Sequence, residues 1–485
     1  MDKRTWKLIY SNYSGMEKKA IELVSAEMGA HHNRDKGVFS LHVFPCVNVT
    51  EITDFNAVIV GCYDTNELIR KYIDRKDIPE DGYLVKVMDN PDNEALKIMI
   101  VAAFEQKNVF YGAVELVDDY FSFAAPAHGG LRMVDEIFLQ NRMPDYCHAS
   151  SPKFKTRSVF TWGQPILDYR NYIENMARLK LNQLIIWNDF VPLNADDVVE
   201  YAHEYGIEVM WGYSWGWRKK CREESYLISI MSDIPALKKR VIDDYVEKYS
   251  KIKGDGVYFQ SFTEAGFHEV GGKVIAEVVT EFVNDTADAL LKLYPNLHIQ
   301  FGLHATSVKD KLEYLAKVDP RIEIVWEDCG AYPYSYSPFD SSDELMEETK
   351  KFTKELINLR EVNPIGLVFK GQMTMDWKEG RFVNQAGPYI LGMESKEIIK
   401  HDMDMMRPIW RDFQAQWIRH AEKAHSLANM VYELTGGDVN MNLAATLSGA
   451  IWFPYAMTAQ LFWDPTGNYD ELVEKVARRR STMMA

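Results

Sequence analysis

The stretch QLIIWNDFVPLNADDVVEYAHEYGIEVMWG, residues 183–212, contains the structural unit that repeats along much of the chain. Gln183–Trp187 and Glu208–Gly212 are short apolar runs of the kind that buried strands require, and Asp196–Tyr205 between them has helical periodicity. A strand, a helix and a second strand of these lengths predict a βαβ unit, and therefore a parallel sheet.

The same alternation continues on both sides of this unit. Further runs with strand character are Ser158–Trp162, Gly256–Gln260, His298–Leu303, Ile322–Trp326 and Gly366–Lys370, and Tyr389–Met393 is the candidate for an eighth strand. Eight such units within residues 151–395 predict a (β/α)8 TIM barrel of the usual size. A doubly wound open sheet is the alternative, but the sequence lacks the Gly-rich phosphate turn expected after an early strand of that fold.

Two further regions flank the predicted barrel. Residues 1–150 predict a small α/β domain, in which Tyr83–Val87 and Leu96–Val101 alternate like the strands of a hairpin. Residues 396–485 predict a C-terminal helical region. Within it the stretch Met441–Trp463 carries no charged residue, but its several polar side chains favour a buried helix over a membrane span.

Composition narrows the classes of partner and compartment. The chain has 485 residues, and its 71 Asp and Glu outnumber its 55 Lys and Arg, which gives a formal charge of -16. Such a surface repels phosphate backbones and anionic lipids, which argues against nucleic-acid and membrane partners. Five cysteines without a CxxC pair, and a start without an apolar leader, predict reduced thiols in a cytoplasmic protein. The sequence does not decide whether the chain forms a homodimer through its C-terminal helices.

Aromatic and polar residues are concentrated where the predicted strands end. In a (β/α)8 barrel the catalytic residues lie at these C-terminal ends, and sugar rings stack on aromatic rings while their hydroxyl groups bind polar side chains. The candidate substrate-binding residues are Trp162, Asn188, Trp211, Trp215, His304, Trp326, Lys370 and Trp377. Packing against the barrel rim is the alternative for Trp211 and Trp215, and a buried, hydrogen-bonded histidine is the alternative for His304.

Carboxylate side chains lie close in sequence to these aromatic and polar residues, at the ends of the predicted strands. Hydrolysis of a glycoside needs one protonated carboxyl group that assists the leaving oxygen, and a second carboxylate that activates water or attacks. The candidate catalytic residues are Glu264 together with one of Glu327, Asp328 and Asp376. Glu327 and Asp328 are consecutive, so their side chains diverge in an extended segment and at most one of them faces a substrate.

Three stretches carry a resemblance to known enzymes. They are DGYLVKV with VFYGAVELV (81–87 and 109–117), GDGVYFQSFTEAG (254–266) and WFPYAMTAQLFWDPTGNYDELVEKVARR (452–479), and VFKGQMTMDW (368–377) is a weaker match. Through them the chain resembles the α-glucuronidases of glycoside hydrolase family 67. More distantly it is similar to the family 20 hexosaminidases, which share a small α/β domain ahead of the barrel.

This resemblance implies an activity and a set of roles. Glu264 takes the position of the general acid, Asp376 that of a general base, and Lys370 ends the strand before it. The implied reaction is inverting hydrolysis of a short oligosaccharide that contains a uronic acid, without a metal or an organic cofactor. Thr263 and Ala265 depart from the family pattern, and no second base carboxylate follows the seventh strand, so a separate related family also fits.

Three other functions remain as alternatives. A hexosaminidase-like, substrate-assisted mechanism calls for adjacent Asp and Glu after the fourth strand, where this chain has Thr263 and Glu264. A non-catalytic carbohydrate-binding protein would keep the aromatic cleft without working carboxylates. A barrel lyase that acts on uronates would need a base beside the sugar α-carbon.

Overall fold

The computed structural model describes most of the chain. The described residues are 5–34, 40–45, 49–124, 143–161, 166–187, 190–216, 223–262, 265–304, 308–329, 343–369, 388–444 and 452–479. The chain divides into two compact units. The first contains residues 1–152, 204–206 and 467–482, and the second contains residues 153–203, 207–466 and 483–485.

Sixteen strands lie in the described part of the chain. They are β1 (Thr5–Tyr10), β2 (Ser40–Pro45), β3 (Asn56–Cys62), β4 (Tyr83–Asn90), β5 (Asn93–Ala103), β6 (Tyr146–Ser150), β7 (Thr156–Phe160), β8 (Gln183–Trp187), β9 (Glu208–Gly212), β10 (Gly256–Phe259), β11 (Glu269–Val270), β12 (Lys273–Val274), β13 (His298–Leu303), β14 (Glu323–Cys329), β15 (Ile365–Phe369) and β16 (Asn440–Ala444).

Fourteen α-helices accompany these strands in the same described ranges. They are α1 (Gly15–Arg34), α2 (Glu67–Tyr72), α3 (Gln106–Val114), α4 (Phe121–Ala124), α5 (Tyr169–Arg178), α6 (Ala195–Glu204), α7 (Glu224–Met231), α8 (Ile234–Glu247), α9 (Ile275–Leu293), α10 (Leu312–Leu315), α11 (Asp343–Ile357), α12 (Lys396–Thr435), α13 (Trp452–Trp463) and α14 (Tyr469–Arg478). None of the described helices is long and apolar enough to cross a lipid bilayer.

The first unit is built on one mixed sheet. Its strand order is β2-β1-β3-β5-β4-β6; β1, β2, β3 and β5 run parallel, and β4 runs antiparallel to both of its neighbours. The predicted hairpin is present, because β4 and β5 pair with Val85 opposite Val101. A π-helical turn, Glu115–Tyr120, follows α3 and carries three buried carboxylates. Two of them have a basic partner near the C-terminus: Lys475 Nζ lies 2.9 Å from Glu115 Oε1, and Arg479 Nε lies 2.8 Å from Asp119 Oδ1.

The second unit is a closed barrel of eight parallel strands. The order around the barrel is β10-β13-β14-β15-β16-β7-β8-β9, and helices alternate with the strands along the chain. The predicted (β/α)8 fold is therefore confirmed. Seven of its strands coincide with the apolar runs of the sequence, because a parallel strand that is covered on both faces is apolar along most of its length.

The eighth strand is not where the sequence predicted it. Tyr389–Met393 lies in a connecting segment, in which the carbonyl oxygens of Tyr389 and Gly392 accept hydrogen bonds from Leu193 N (2.8 Å) and Tyr169 N (3.0 Å). The barrel is closed instead by β16, which pairs with β15 on one side and with β7 on the other. The barrel unit therefore extends to residue 466, beyond the boundary expected at residue 395.

The stretch Met441–Trp463 therefore contains part of a strand and a helix, instead of a single helix. Its first residues belong to β16, and only its second half, α13, is the buried helix that the sequence predicted. The 40-residue helix α12 precedes β16. It begins at the N-cap Ser395, whose side chain accepts from Ile398 N, and it ends at Gly436, whose φ of 61° is a left-handed conformation that glycine adopts without strain.

Polar side chains fill the interior of the barrel at the N-terminal ends of its strands. Ser158 Oγ donates to Asn440 Oδ1 (2.7 Å), and Gln300 Nε2 donates to Gln183 Oε1 (3.1 Å). Asn440 Nδ2 donates to Glu323 Oε1 (2.9 Å). These five side chains are buried and come from five different strands, so the network joins the strands across the barrel axis.

Candidate functional site

Strand alternation decides which side chains enter the barrel at the C-terminal ends of its strands. An apolar layer of the interior contains Phe160, Ile185, Met210, Tyr258, Val325, Val368 and Ala444, with the half-buried Trp187 packed against it. Because successive side chains of a strand alternate between its faces, Glu327 enters the interior two residues after Val325, and Gln260 does so two residues after Tyr258. In the described part of the chain, Trp187, Gln260 and Glu327 therefore face inward near the C-terminal ends of their strands.

Glu327 is held by two donors. The phenol of Tyr258 and the side-chain amide of Gln260 both hydrogen-bond to its Oε1. Burial, and then the nearby charge of Glu327, raise the pKa of Tyr258 well above its usual value, so the phenol stays protonated at neutral pH and donates. A single oxygen that accepts from two donors is well suited to carry a carboxylate charge. All three side chains are almost completely buried.

Two glycines make room for these large side chains. A Cβ on Gly302 of β13 would lie 1.8 Å from the Tyr258 hydroxyl oxygen and 2.8 Å from Glu327 Oε1. Since β13 lies between β10 and β14, its missing side chain is the space in which Tyr258 and Glu327 meet. In the same way, a Cβ on Gly212 of β9 would lie 2.7 Å from Cε3 of Trp187.

Aromatic rings surround the hydrogen-bonded group from the side of β7 and β8. The Tyr258 ring lies 4.9 Å from that of Phe160, and 5.6 Å from that of Trp187 in an edge-to-face arrangement. Trp187 is half-buried, and its backbone N donates to the hydroxyl of Thr161 (3.2 Å). The site thus combines one buried carboxylate, two polar donors and a partly exposed indole, a composition suited to a polar ligand with an apolar face.

Three predicted substrate-binding tryptophans face away from this interior. Trp215 stacks on Phe259 with ring centroids 3.7 Å apart, and Trp326 packs edge-to-face on Phe352 of α11 at 4.9 Å. Trp211 lies against the backbone of Gly254, where a Cβ would be 2.5 Å from its Cδ1. All three indoles are buried between the barrel wall and its outer layer, so they have no surface for a sugar ring and the expectation that they bind one is corrected.

Glu327, predicted as one of the alternative second carboxylates, has 0 % exposure. Its catalytic role stays a prediction. His304, which follows β13 directly, is half-buried at the same end of the barrel, where the sequence predicted it.

The remaining predicted site residues lie outside the part of the chain that the structure describes. They are the catalytic candidates Glu264 and Asp376, the side chain of Asp328, and the substrate-binding candidates Trp162, Asn188, Lys370 and Trp377. Their roles stay predictions. The described residues also contain no group of three or more His, Cys, Asp or Glu side chains that is arranged to hold a metal ion.

The sequence analysis missed three residues of the site: Trp187, Tyr258 and Gln260. A signal for them exists, because Tyr258 and Gln260 alternate with the apolar Val257 and Phe259, so a polar face and an apolar face are visible in the strand. Trp187 has the same parity as Gln183 and Ile185 of its own strand.

Comparisons with known proteins support the fold. No protein-family model matches the chain, and no curated protein matches it in sequence. Among solved structures it is similar to the family 20 β-N-acetylhexosaminidase from Streptomyces coelicolor A3(2), with 10% identity over 99% of this chain and 92% of that chain and a TM-score of 0.50.

Two further structures are similar at lower scores. The Flavobacterium johnsoniae chitobiase FjGH20 matches with 10% identity over 98% of this chain and 69% of that chain, at a TM-score of 0.49. The structure of CpGH84B matches with 11% identity over 97% and 70%, at a TM-score of 0.46. At these identities the likeness concerns the fold alone. The expected relation to the α-glucuronidases of family 67 is not shown by these matches.

Proposed function

We propose that the chain hydrolyses an O-glycosidic bond at the C-terminal end of its barrel. The observation that carries this proposal is the buried carboxylate of Glu327 at the end where (β/α)8 enzymes place their catalytic groups. Tyr258 and Gln260 hydrogen-bond to it, and the half-buried Trp187 packs on the ring of Tyr258. The fold shared with a β-N-acetylhexosaminidase agrees with it, because the same architecture serves that chemistry in the Streptomyces protein.

The proposed reaction uses two carboxyl groups. Glu264, in the loop that follows β10, donates a proton to the leaving oxygen as the bond from that oxygen to the anomeric carbon breaks. Asp376 or Asp328 removes a proton from a water molecule, whose oxygen forms the new bond to the anomeric carbon. Inversion is the proposed outcome, and it requires carboxyl groups about 6.5–9.5 Å apart, which leaves room for the water.

Two substrate classes compete for this site. A glycoside of a uronic acid is the class that the sequence resemblance implies, with Lys370 as the cation that pairs with the sugar carboxylate. An N-acetylhexosaminide is the class that the Streptomyces enzyme's name implies. The shared fold supports this second class. However, a substrate-assisted mechanism would need an aspartate directly before Glu264, and this chain has Thr263 there.

The decisive experiment measures hydrolysis of a panel of substrates. It contains aldouronic oligosaccharides, N-acetylhexosaminides and neutral glycosides, each with an unactivated alkyl and an activated nitrophenyl leaving group. Glu264→Gln is expected to lower kcat about a hundredfold to ten-thousandfold on the unactivated substrates, since general acid catalysis contributes this much. The loss should be smaller on nitrophenyl glycosides, because that leaving group departs without a proton.

The matched control is Glu269→Gln, which makes the same change on an exposed glutamate a few residues further along the chain. It should leave both rates unchanged. If the wild-type protein cleaves no member of the panel but binds the oligosaccharides, the carbohydrate-binding alternative replaces the proposal. If Glu264→Gln lowers kcat by the same factor on alkyl and on nitrophenyl glycosides, Glu264 is not the general acid.

A further inference from the structure

A late segment of the chain belongs to the first compact unit. Residues 467–482 are grouped with residues 1–152, although residues 153–466 lie between them in sequence. Within this segment, α14 contacts the π-helical turn Glu115–Tyr120. The contacting face of α14 is mixed: Leu472 and Val476 are buried apolar residues, and Lys475 and Arg479 share their side of the helix because all four follow the i, i+3, i+4, i+7 spacing.

The carboxylate of Glu115 is completely buried and is surrounded by donors. Tyr83 Oη donates to its Oε2 (2.9 Å), and Tyr146 Oη donates to its Oε1 (2.8 Å). Burial, and then the charge of Glu115, raise the pKa of both phenols above its usual value, so both stay protonated and donate. Lys475 Nζ lies 2.9 and 3.0 Å from the two oxygens, and His148 Nε2 lies 3.7 Å from Oε1.

The second pair lies one helical turn further along. Arg479 Nε donates to Asp119 Oδ1 at 2.8 Å, and Lys475 Nζ lies 3.7 Å from Asp119 Oδ2. The two carboxylates are four residues apart on the turn and the two cations are four residues apart on α14, so the pairs match in spacing. Burial lowers the pKa of Lys475, but the charges of Asp119 and Glu115 outweigh burial and raise it, so the ammonium stays charged.

These contacts also reach the edge of the sheet. In the described sheet, β6 is an edge strand and pairs with β4 on one side only. Tyr146 and His148 lie on β6, and Glu115 joins them to Lys475 of α14. An edge strand held on one side depends on such side-chain contacts more than a central strand does, because backbone pairing holds a central strand from both sides.

We propose that residues 469–479 form a strap, a segment that docks on the first unit and detaches from it as one piece, and that the edge strand β6 opens together with it. Docked, the strap supplies the cations for Glu115 and Asp119. Detachment removes both cations, and a buried charge that loses its partner costs more free energy than the intact pair contributes. The charges therefore make docking all-or-none. This inference does not rest on the proposed function.

Hydrogen–deuterium exchange of the full-length chain tests the strap. In the wild-type protein α14, the turn Glu115–Tyr120 and β6 should exchange at one common rate, faster than the central strands β3 and β5. Lys475→Gln combined with Arg479→Gln should raise the exchange rates of these three segments about a hundredfold or more. The rates of the barrel strands β8 and β10 should stay unchanged.

The matched control is Lys71→Gln, the same substitution within the first unit. Lys71 Nζ lies 2.7 Å from Asp92 Oδ2, but this pair is partly exposed to solvent. Exposed ion pairs contribute little to stability, so the exchange rates of α14 and β6 should stay at their wild-type values in this variant.

Variants on the carboxylate side separate charge matching from packing. Glu115→Gln with Asp119→Asn should raise the exchange rates less than the cation variant does, because the long side chain of Lys475 is already 23% exposed and can carry its charge to water. All four substitutions together should bring the rates back to within about tenfold of the wild type, since no charge is then buried without a partner.

Three results would overturn the inference. Unchanged exchange of α14 in Lys475→Gln with Arg479→Gln would mean that apolar packing alone holds it. Faster exchange of α14 with β6 unchanged would mean that the two do not open together. Exchange in the fourfold variant as fast as in the cation variant would mean that charge matching does not govern docking.

Discussion

Among the described residues, one glutamate is buried at each end of the barrel interior, and its surroundings differ between the two ends. At the N-terminal end, Glu323 Oε1 accepts from Gln300 and Asn440, and its Oε2 lies 2.7 Å from His298 Nε2. At the C-terminal end, Glu327 Oε1 accepts from Tyr258 and Gln260. The first group is enclosed in a network of amides, and the second lies beside a half-buried indole where the strands end.

The different surroundings of Glu323 and Glu327 show that burial of a carboxylate does not by itself identify a catalytic group. Ion-pair networks that hold strands together and sites that perform chemistry both bury charges. What distinguishes them here is position along the strands, since the N-terminal end of a barrel contributes stability and the C-terminal end contributes the active site. Substitutions at matched positions of the two ends should therefore separate loss of stability from loss of activity.

The largest effect on stability is expected for Glu323→Ala. The substitution removes Glu323 as one of two acceptors of the Gln300 and Asn440 amides, which both still donate to Gln183 Oε1, and it removes the partner of His298. We expect the free energy of unfolding to fall by about 3 kcal/mol, since three hydrogen bonds worth about 1 kcal/mol each are lost. Urea denaturation measures this loss. A change below about 1 kcal/mol would show that the network is not what joins the strands.

Gly302→Ala adds one methyl group near Glu327 at the C-terminal end of the barrel, and Gly366→Ala adds one near Glu323 at the N-terminal end. Together they compare how each end tolerates a small increase in volume. The new Cβ at residue 302 would lie 1.8 Å from the Tyr258 hydroxyl, whereas at residue 366 it would lie 2.8 Å from Glu323 Oε1. Overpacking costs about 1–3 kcal/mol, and we expect the higher value for Gly302→Ala. Only Gly302→Ala should also impair hydrolysis. Gly29→Ala, which meets no atom within 4 Å in α1, serves as the control for both.

A smaller effect is expected for Ser158→Ala, which removes a hydroxyl from the N-terminal network. Ser158 Oγ donates to Asn440 Oδ1 at 2.7 Å and lies 3.0 Å from Gln183 Oε1. Loss of this buried hydrogen bond should lower the free energy of unfolding by about 1 kcal/mol, while the pH profile of activity stays unchanged. If activity falls with no change in thermal or chemical denaturation, the network takes part in function as well.

The smallest expected effect is a pH dependence of stability that originates at His298. Burial lowers the pKa of this imidazole, but its hydrogen bond to Glu323, and the charges of Glu323 and Glu208, outweigh burial and raise the pKa above its usual value. A raised pKa in the folded state stabilises the fold below the unfolded pKa of about 6.5, and this stabilisation is lost as the pH rises through the folded value.

His298→Gln should therefore abolish a decrease in stability that the wild-type protein shows as the pH rises above about 6.5. The side chain is 37% exposed, so solvent screens the pair and the difference should be about 0.5 kcal/mol. Urea denaturation of both proteins across this pH range measures it. Parallel pH dependences in wild type and variant would assign the effect to other groups.

Much of this fold could be predicted from the sequence because strands covered on both faces leave a simple signal. The run at Gln183–Trp187 is apolar and bounded by turn residues, so its existence and type were clear. The eighth strand could not be found in the same way. In β16 the inward residues Asn440 and Asn442 are polar, and they interrupt the apolar pattern while the apolar residues that follow suggest a helix.

The site was harder to predict because polar side chains are buried inside this barrel, whereas in most proteins buried side chains are apolar. The outer face of each strand packs on helices and takes the largest apolar side chains, such as Trp326, whereas the inner face of the same strand carries Glu323 and Glu327. Strand alternation places Trp326 and Glu327 on opposite faces, but only the closed barrel shows which of them is inside. The proposed catalytic residues Glu264 and Asp376 belong to loops and lie outside the described part of the chain.

The late position of β16 has a consequence for biosynthesis. Its partner β7 begins at Thr156, which pairs with Asn440, so the two edges that close the barrel are separated by 284 residues of chain. At about 5–20 residues per second, a ribosome needs roughly 15–60 s to make that intervening length. During this interval β7 has no β16 to pair with, and β15, which ends at Phe369, lacks it while residues 370–439 are made. Unpaired strand edges invite association with other nascent chains. Efficient production of this protein should accordingly depend on how well chaperones cover these two edges until the final strand emerges.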